Sequence, residues 1–134
     1  MINLTDEISA LCLKALGKLP LSIVYRLGEL LGKFFASMPT DARRVTAINI
    51  DLCFPNETAK FRHDLVQKSI VETVITGFEM GPIWTGKVDD ILARVISVEG
   101  EQQVRSALES GKGVILLAPH LGNWEVIGYY LSTY

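Results

Sequence analysis

The stretch "VISVEGEQQVRSALESGKGVILLAPHLGNWE", Val95 to Glu125, decides the fold reading, because its hydrophobic pattern changes character twice. Val95 to Val98 is a short β-type run closed by Glu99-Gly100. Val104, Ala107 and Leu108 then recur at helical spacing until Gly111 stops them, and Val114 to Ala118 is a continuous apolar run. A further apolar helix is expected from Val126 to Leu131. Strand, helix, strand, helix with wholly apolar strands predicts an α/β fold, its parallel strands buried on both faces and joined by a crossover helix.

Upstream of this stretch the periodicity is helical. From Leu11 to Met38 the chain is rich in Leu, Ile, Val and Phe, yet Lys14, Lys18, Arg26, Glu29 and Lys33 interrupt it, so no uncharged run reaches the roughly 18 residues a membrane span needs. The charges are ordered. Lys14 and Lys18 share one face; Arg26, Glu29 and Lys33 form a second polar stripe, opposed by Val24, Leu27, Leu30, Leu31, Phe34 and Phe35. Pro20 separates the two patterns and is suited to open the second helix. Residues 1–38 are therefore expected to form amphipathic helices, whose apolar faces either enter the core or lie in a bilayer interface. Residues 39–134 form the second expected domain. Its first helix is capped by Thr40 and carries Val45, Ile48 and Leu52 towards Pro55. A long one follows, capped by Asn56 or Thr58, with Phe61, Leu65, Ile70, Val74 and Phe78 on its apolar face and Gly81-Pro82 as its end. His63, between Arg62 and Asp64, reads as a solvated surface histidine.

Composition narrows the function classes. With 134 residues, 49% of them hydrophobic, the chain can bury one core. A net charge of −2 gives no argument for nucleic acid, and none is expected as a partner. The charge is unevenly spread, however. Up to Ile50 the bases outnumber the acids and the remainder is acidic, a polarity that points to an anionic membrane surface. Cys12 and Cys53 have neither C-x-x-C spacing nor a histidine at ligand spacing, and read as buried reduced thiols; no metal and no cofactor is expected. The acidic start, Asp6 and Glu7, does not resemble a secretory signal.

His120 stands just past the second predicted strand, where catalytic groups of open α/β sheets gather. Pro119 ends the strand, Asn123 is a suitable N-cap, and Glu125 falls in the first turn of the next helix, where the helix dipole favours a carboxylate. On one continuous helix the two side chains would diverge by about 140°. A bend at Gly122 instead lets Glu125 reach back to the imidazole. A carboxylate on one ring nitrogen fixes the tautomer and stabilises the imidazolium formed when the other nitrogen takes a proton. His120 and Glu125 are thus candidate catalytic residues, a general base without a nucleophile of its own, so that a substrate hydroxyl would attack. No Ser or Cys nearby sits in a nucleophile elbow. Spacing alone favours the plainer reading, a loop histidine followed by a first-turn glutamate.

Three blocks occurring in order, "RRVTAINIDLCFP" (Arg43 to Pro55), "VEG" (Val98 to Gly100) and "GKGVILLAPHLGNWE" (Gly111 to Glu125), resemble the late acyltransferases of bacterial lipid A biosynthesis, the lauroyl and myristoyl transferases. The resemblance extends from Leu16 onward. It implies that His120 is the catalytic base and Glu125 its partner, that the donor is an acyl-acyl carrier protein, and that the acceptor is a hydroxyl of a glycolipid, the lipid A precursor. It also implies a location at the cytoplasmic face of the inner membrane, with the apolar, basic N-terminal segment as anchor. Relatives with the same "HLGNWE" form acylate other lipids, so a glycerophospholipid, an ornithine lipid or a polyene pigment is the alternative acceptor. Family members are about twice as long or more. On that scale the chain ends inside a helix at Tyr134, short of the later strands and of the basic residues expected to hold acceptor phosphates. It is expected to be an N-terminal portion of such an enzyme, inactive or poorly folded alone, or a membrane-associated fragment kept as a scaffold.

Overall fold

A computed structural model describes residues 4–133, with side chains from Asp6 onward. The chain divides into two compact units after Thr85. The first holds four helices: α1 (Leu4–Gly17), α2 (Leu21–Ser37), α3 (Asp41–Cys53) and α4 (Ala59–Thr85). The second holds α5 (Val88–Leu92), α6 (Glu101–Glu109) and α7 (Glu125–Leu131), joined by irregular segments. The expected boundary at residues 38 and 39 falls inside the first unit, and Tyr134 lies outside the described residues.

Local signals start and stop these helices much as elementary capping chemistry requires. Asp6 and Glu7 occupy the first turn of α1 and Lys14 its last, each complementing the helix dipole. Pro20, with φ −56° and ψ 139°, is the N-cap of α2, one position before its first turn. The Thr40 hydroxyl accepts from the Arg43 amide at 3.2 Å, and that of Thr58 from the Phe61 amide at 3.1 Å. Gly81-Pro82 does not end α4, contrary to expectation, since the helix continues to Thr85. A proline ring ordinarily collides with the Cβ of the residue before it; Gly81 has none, and the Thr85 hydroxyl donates to the Gly81 carbonyl at 2.7 Å.

Helix α4, about 40 Å long at 1.5 Å per residue, is the spine of the first unit, and α1, α2 and α3 all pack on it. The α2 surface that meets it is not the leucine and phenylalanine stripe. It is Val24, Gly28, Gly32 and Ala36, four small residues at i, i+4 spacing, all buried. A Cβ placed on Gly28 would lie 2.9 Å from the Ile75 Cα, and one on Gly32 would lie 2.9 Å from the Val71 Cα. The two backbones therefore approach as closely as glycine permits. Ala36, Ile50, Val66 and Ile70 form the core where α2, α3 and α4 meet. On α3 it is Ile50, with Ala47 beside it, that turns inward, whereas Val45, Ile48 and Leu52 are exposed. On α4 the buried line is Val66, Ile70 and Ile75; Phe61 remains exposed. Cys12 and Cys53 are free and exposed, which corrects the expectation of burial.

The α/β expectation is overturned. Among the described residues there is no strand: residues 95–98 and 114–118 are irregular, and no backbone hydrogen bond joins them. Ile96 is 99% exposed, and Ile115 and Leu117 are each 92% exposed, so neither apolar run is covered. A strand exists through its partners. Two short runs cannot satisfy both edges of each other's backbones, and an isolated pair is marginal in water. The helical parts of this stretch do form, as α6 and α7, while α5 was not foreseen.

Candidate active site

Within the second unit the chain leaves the apolar run at Pro119, turns through residues 120–124 and enters α7 at Glu125. The Leu121 amide donates to the Pro119 carbonyl at 2.7 Å, closing a tight turn, and Gly122 follows at φ +57°, a left-handed conformation that glycine adopts without strain. The expected bend is therefore present. Asn123 is not the N-cap. That position is held by Trp124, without a side-chain cap, and the Asn123 backbone carbonyl accepts from the Val126 amide at 3.2 Å.

The bend brings His120 onto Trp124. Their rings are stacked, with centroids 4.3 Å apart and planes inclined by 3°. Stacking covers one face of the imidazole and leaves its edge, which carries both nitrogens, free of the indole. Such a ring is held in plane while still able to exchange a proton. His120 is exposed; Glu125, in the first turn of α7, is half-buried. Among the described residues no hydrogen bond or ion pair joins His120 to Glu125. Sequence spacing carries no signal for this pair, because His120 and Trp124 are brought together by the bend at Gly122 and not by a helical turn.

Beside the turn lies an open groove of about 430 Å³, lined by Val98, Val104, Leu116, Ala118, Val126 and Leu131 among others. The lining is predominantly apolar and comes from both irregular runs together with α6 and α7. Among the described residues no group of three His, Cys, Asp or Glu side chains is placed to hold a metal ion. No described helix is long and apolar enough to cross a membrane.

The chain is similar to the lipid A biosynthesis lauroyltransferase of Escherichia coli (strain K12), at 28% identity over 109 residues. That match takes in 81% of this chain and 35% of the relative, so the chain spans about a third of the length of the curated protein it matches. No solved structure matches it. The model of the bacterial lipid A biosynthesis acyltransferase family matches residues 3–134, a range that includes the turn, His120, Trp124 and Glu125, and the chain belongs to that family.

Proposed function

We propose that this chain carries the general-base portion of an O-acyltransferase that moves a fatty acyl group from acyl-acyl carrier protein to a hydroxyl of a lipid A precursor. The observation that carries the reading is the family match across residues 3–134, a range that includes His120 and Glu125. In this mechanism His120 removes the acceptor's hydroxyl proton as the oxygen attacks the thioester carbon. The new C–O bond forms, the tetrahedral oxyanion collapses, the C–S bond breaks, and the imidazolium returns the proton to the carrier thiolate. Glu125 orients the imidazole, tightening onto it when substrate closes the site, since catalytic hydrogen bonds are often long before binding.

The reading places the chain at the inner membrane's cytoplasmic face, and the exposed stripe of the first unit supports contact with a membrane surface. Leu30 is 67% and Phe34 58% exposed, with Leu27, Leu31 and Phe35 also uncovered on α2, and Lys33 pairs with Glu29 beside them. A helix with this composition lies in an interface rather than crossing it.

The test uses membranes holding the longest form of the gene product, wild type and His120→Ala, with acyl-acyl carrier protein and a panel of lipid A precursor, glycerophospholipid and ornithine lipid acceptors. Acylated product is followed by mass spectrometry. We expect product from the lipid A precursor, reduced about 10²–10⁴-fold in the mutant. Acylation of another acceptor would change the substrate, and acylation indifferent to His120 would sink the mechanism.

A further inference from the structure

The first unit holds a second recess that acyl transfer does not use. It is a groove of about 300 Å³ between α3 and α4, lined by Arg43, Ala47 and Asp51 from one helix and Arg62, His63 and Val66 from the other. Its charges are not balanced. Arg62 is committed: its Nε lies 2.7 Å from Asp51 Oδ1, an ion pair by distance rather than an aligned hydrogen bond. Its Nη1 donates to the Glu57 carbonyl and lies 3.5 Å from those of Phe54 and Pro55, which ties the guanidinium to the carboxyl end of α3. Neighbouring charges are likewise taken, Arg44 by Asp41 and Lys60 by Asp64.

Arg43 has no such partner. Its Nε is shielded from solvent and makes no hydrogen bond, and among the described residues no carboxylate pairs with its guanidinium. A charged donor removed from water without an acceptor is costly, and a guanidinium presents its donors in a planar fork suited to a tetrahedral oxyanion. With Asp51 neutralised by Arg62, the groove keeps one uncompensated positive charge, and His63 on its wall adds a second donor. Ala47 leaves room beside them.

We propose that the α3–α4 groove is a phosphate-binding site, in which Arg43 grips the oxyanion and His63 donates a further hydrogen bond. The site takes a terminal phosphate group, either as free phosphate or as the phosphomonoester of a lipid headgroup, and the proposal does not rest on the acyltransferase reading.

The test titrates the 134-residue chain with inorganic phosphate by calorimetry. In parallel it is titrated with phosphatidylcholine vesicles doped with phosphatidic acid, or with phosphatidylglycerol to the same surface charge. We expect Arg43→Gln to weaken binding of the phosphate group about tenfold or more. Arg43→Lys, which keeps the charge but not the fork, should recover only part of it, and Arg44→Gln, a neighbouring charge outside the groove, should leave binding unchanged. Should Arg43→Gln lose its cooperative melt, His63→Gln at an exposed position carries the same comparison, with a smaller expected loss. Saturation by inorganic phosphate alone identifies free phosphate as the source; preference for phosphatidic acid over phosphatidylglycerol identifies the headgroup. Binding of neither ligand, or equal losses in the Arg43 and Arg44 variants, overturns the proposal.

Discussion

At the scale of single residues, two side chains do work that their types alone do not announce. Trp124 holds the His120 ring by stacking, and an aromatic pair of this kind contributes about 0.5–1.5 kcal/mol. Trp124→Leu should therefore lower the acylation rate by up to about tenfold, with the far-ultraviolet circular dichroism unchanged, since α7 has no cap to lose there. A variant as active as wild type would show that the stack is incidental. Arg62 ties the turn between α3 and α4 to its own helix and is only 25% exposed. Arg62→Ala should cost about 1–2 kcal/mol, read as a lower denaturant midpoint. Arg62→Lys should recover little of that, because an ammonium cannot span the separate carbonyls and the carboxylate at once.

At the scale of elements, the same substitution is expected to have opposite signs in two helices. Gly77 lies exposed in α4 with nothing within 4 Å of a built Cβ, so Gly77→Ala gains helix propensity alone and should stabilise by about 0.5–1 kcal/mol. At Gly32 the same methyl meets the Val71 backbone at 2.9 Å, and backbone cannot rotate away. Gly32→Ala should separate α2 from α4 and lower the melting temperature, with overpacking of about 1–3 kcal/mol exceeding the propensity gain. A stabilising Gly32→Ala would mean that α2 does not pack as described. These helices also show what periodicity conveys. It sets Val45, Ile48 and Leu52 at core spacing on α3, but all three are exposed and Ile50 is the residue that finds the core. Likewise the eye follows the large side chains of α2, while the contact is made by glycine and alanine, because close approach of two backbones excludes bulk.

At the scale of the whole molecule, the exposed stripe of α2 carries the membrane prediction. Leu30→Asp with Phe34→Asp should abolish binding to vesicles and leave the melting transition in place, because neither side chain is in the core. Wild-type binding should strengthen as anionic lipid is added, through Lys33, Arg26 and their neighbours. Indifference to lipid charge, or unfolding of the double variant, would return this face to a packing role. The α/β reading failed at this same scale. Nothing is unusual in the apolar runs of residues 95–98 and 114–118. What they lack among the described residues is a paired neighbour on either side, and a run of five residues does not encode its neighbours.

What the sequence by itself determined is the set of things governed by nearest neighbours along the chain. Helix starts at Thr40 and Thr58 follow from capping chemistry, and the bend at Gly122 from backbone sterics, both of which act over four residues or fewer. The order of its blocks was enough to point to the family. Only the tertiary structure decided which face of each helix is buried, that His120 stacks on Trp124, and that Arg43 is left uncompensated beside an Arg62 paired with Asp51. Each of these depends on what lies across a contact from a residue, and burial and charge balance are properties of both sides of that contact.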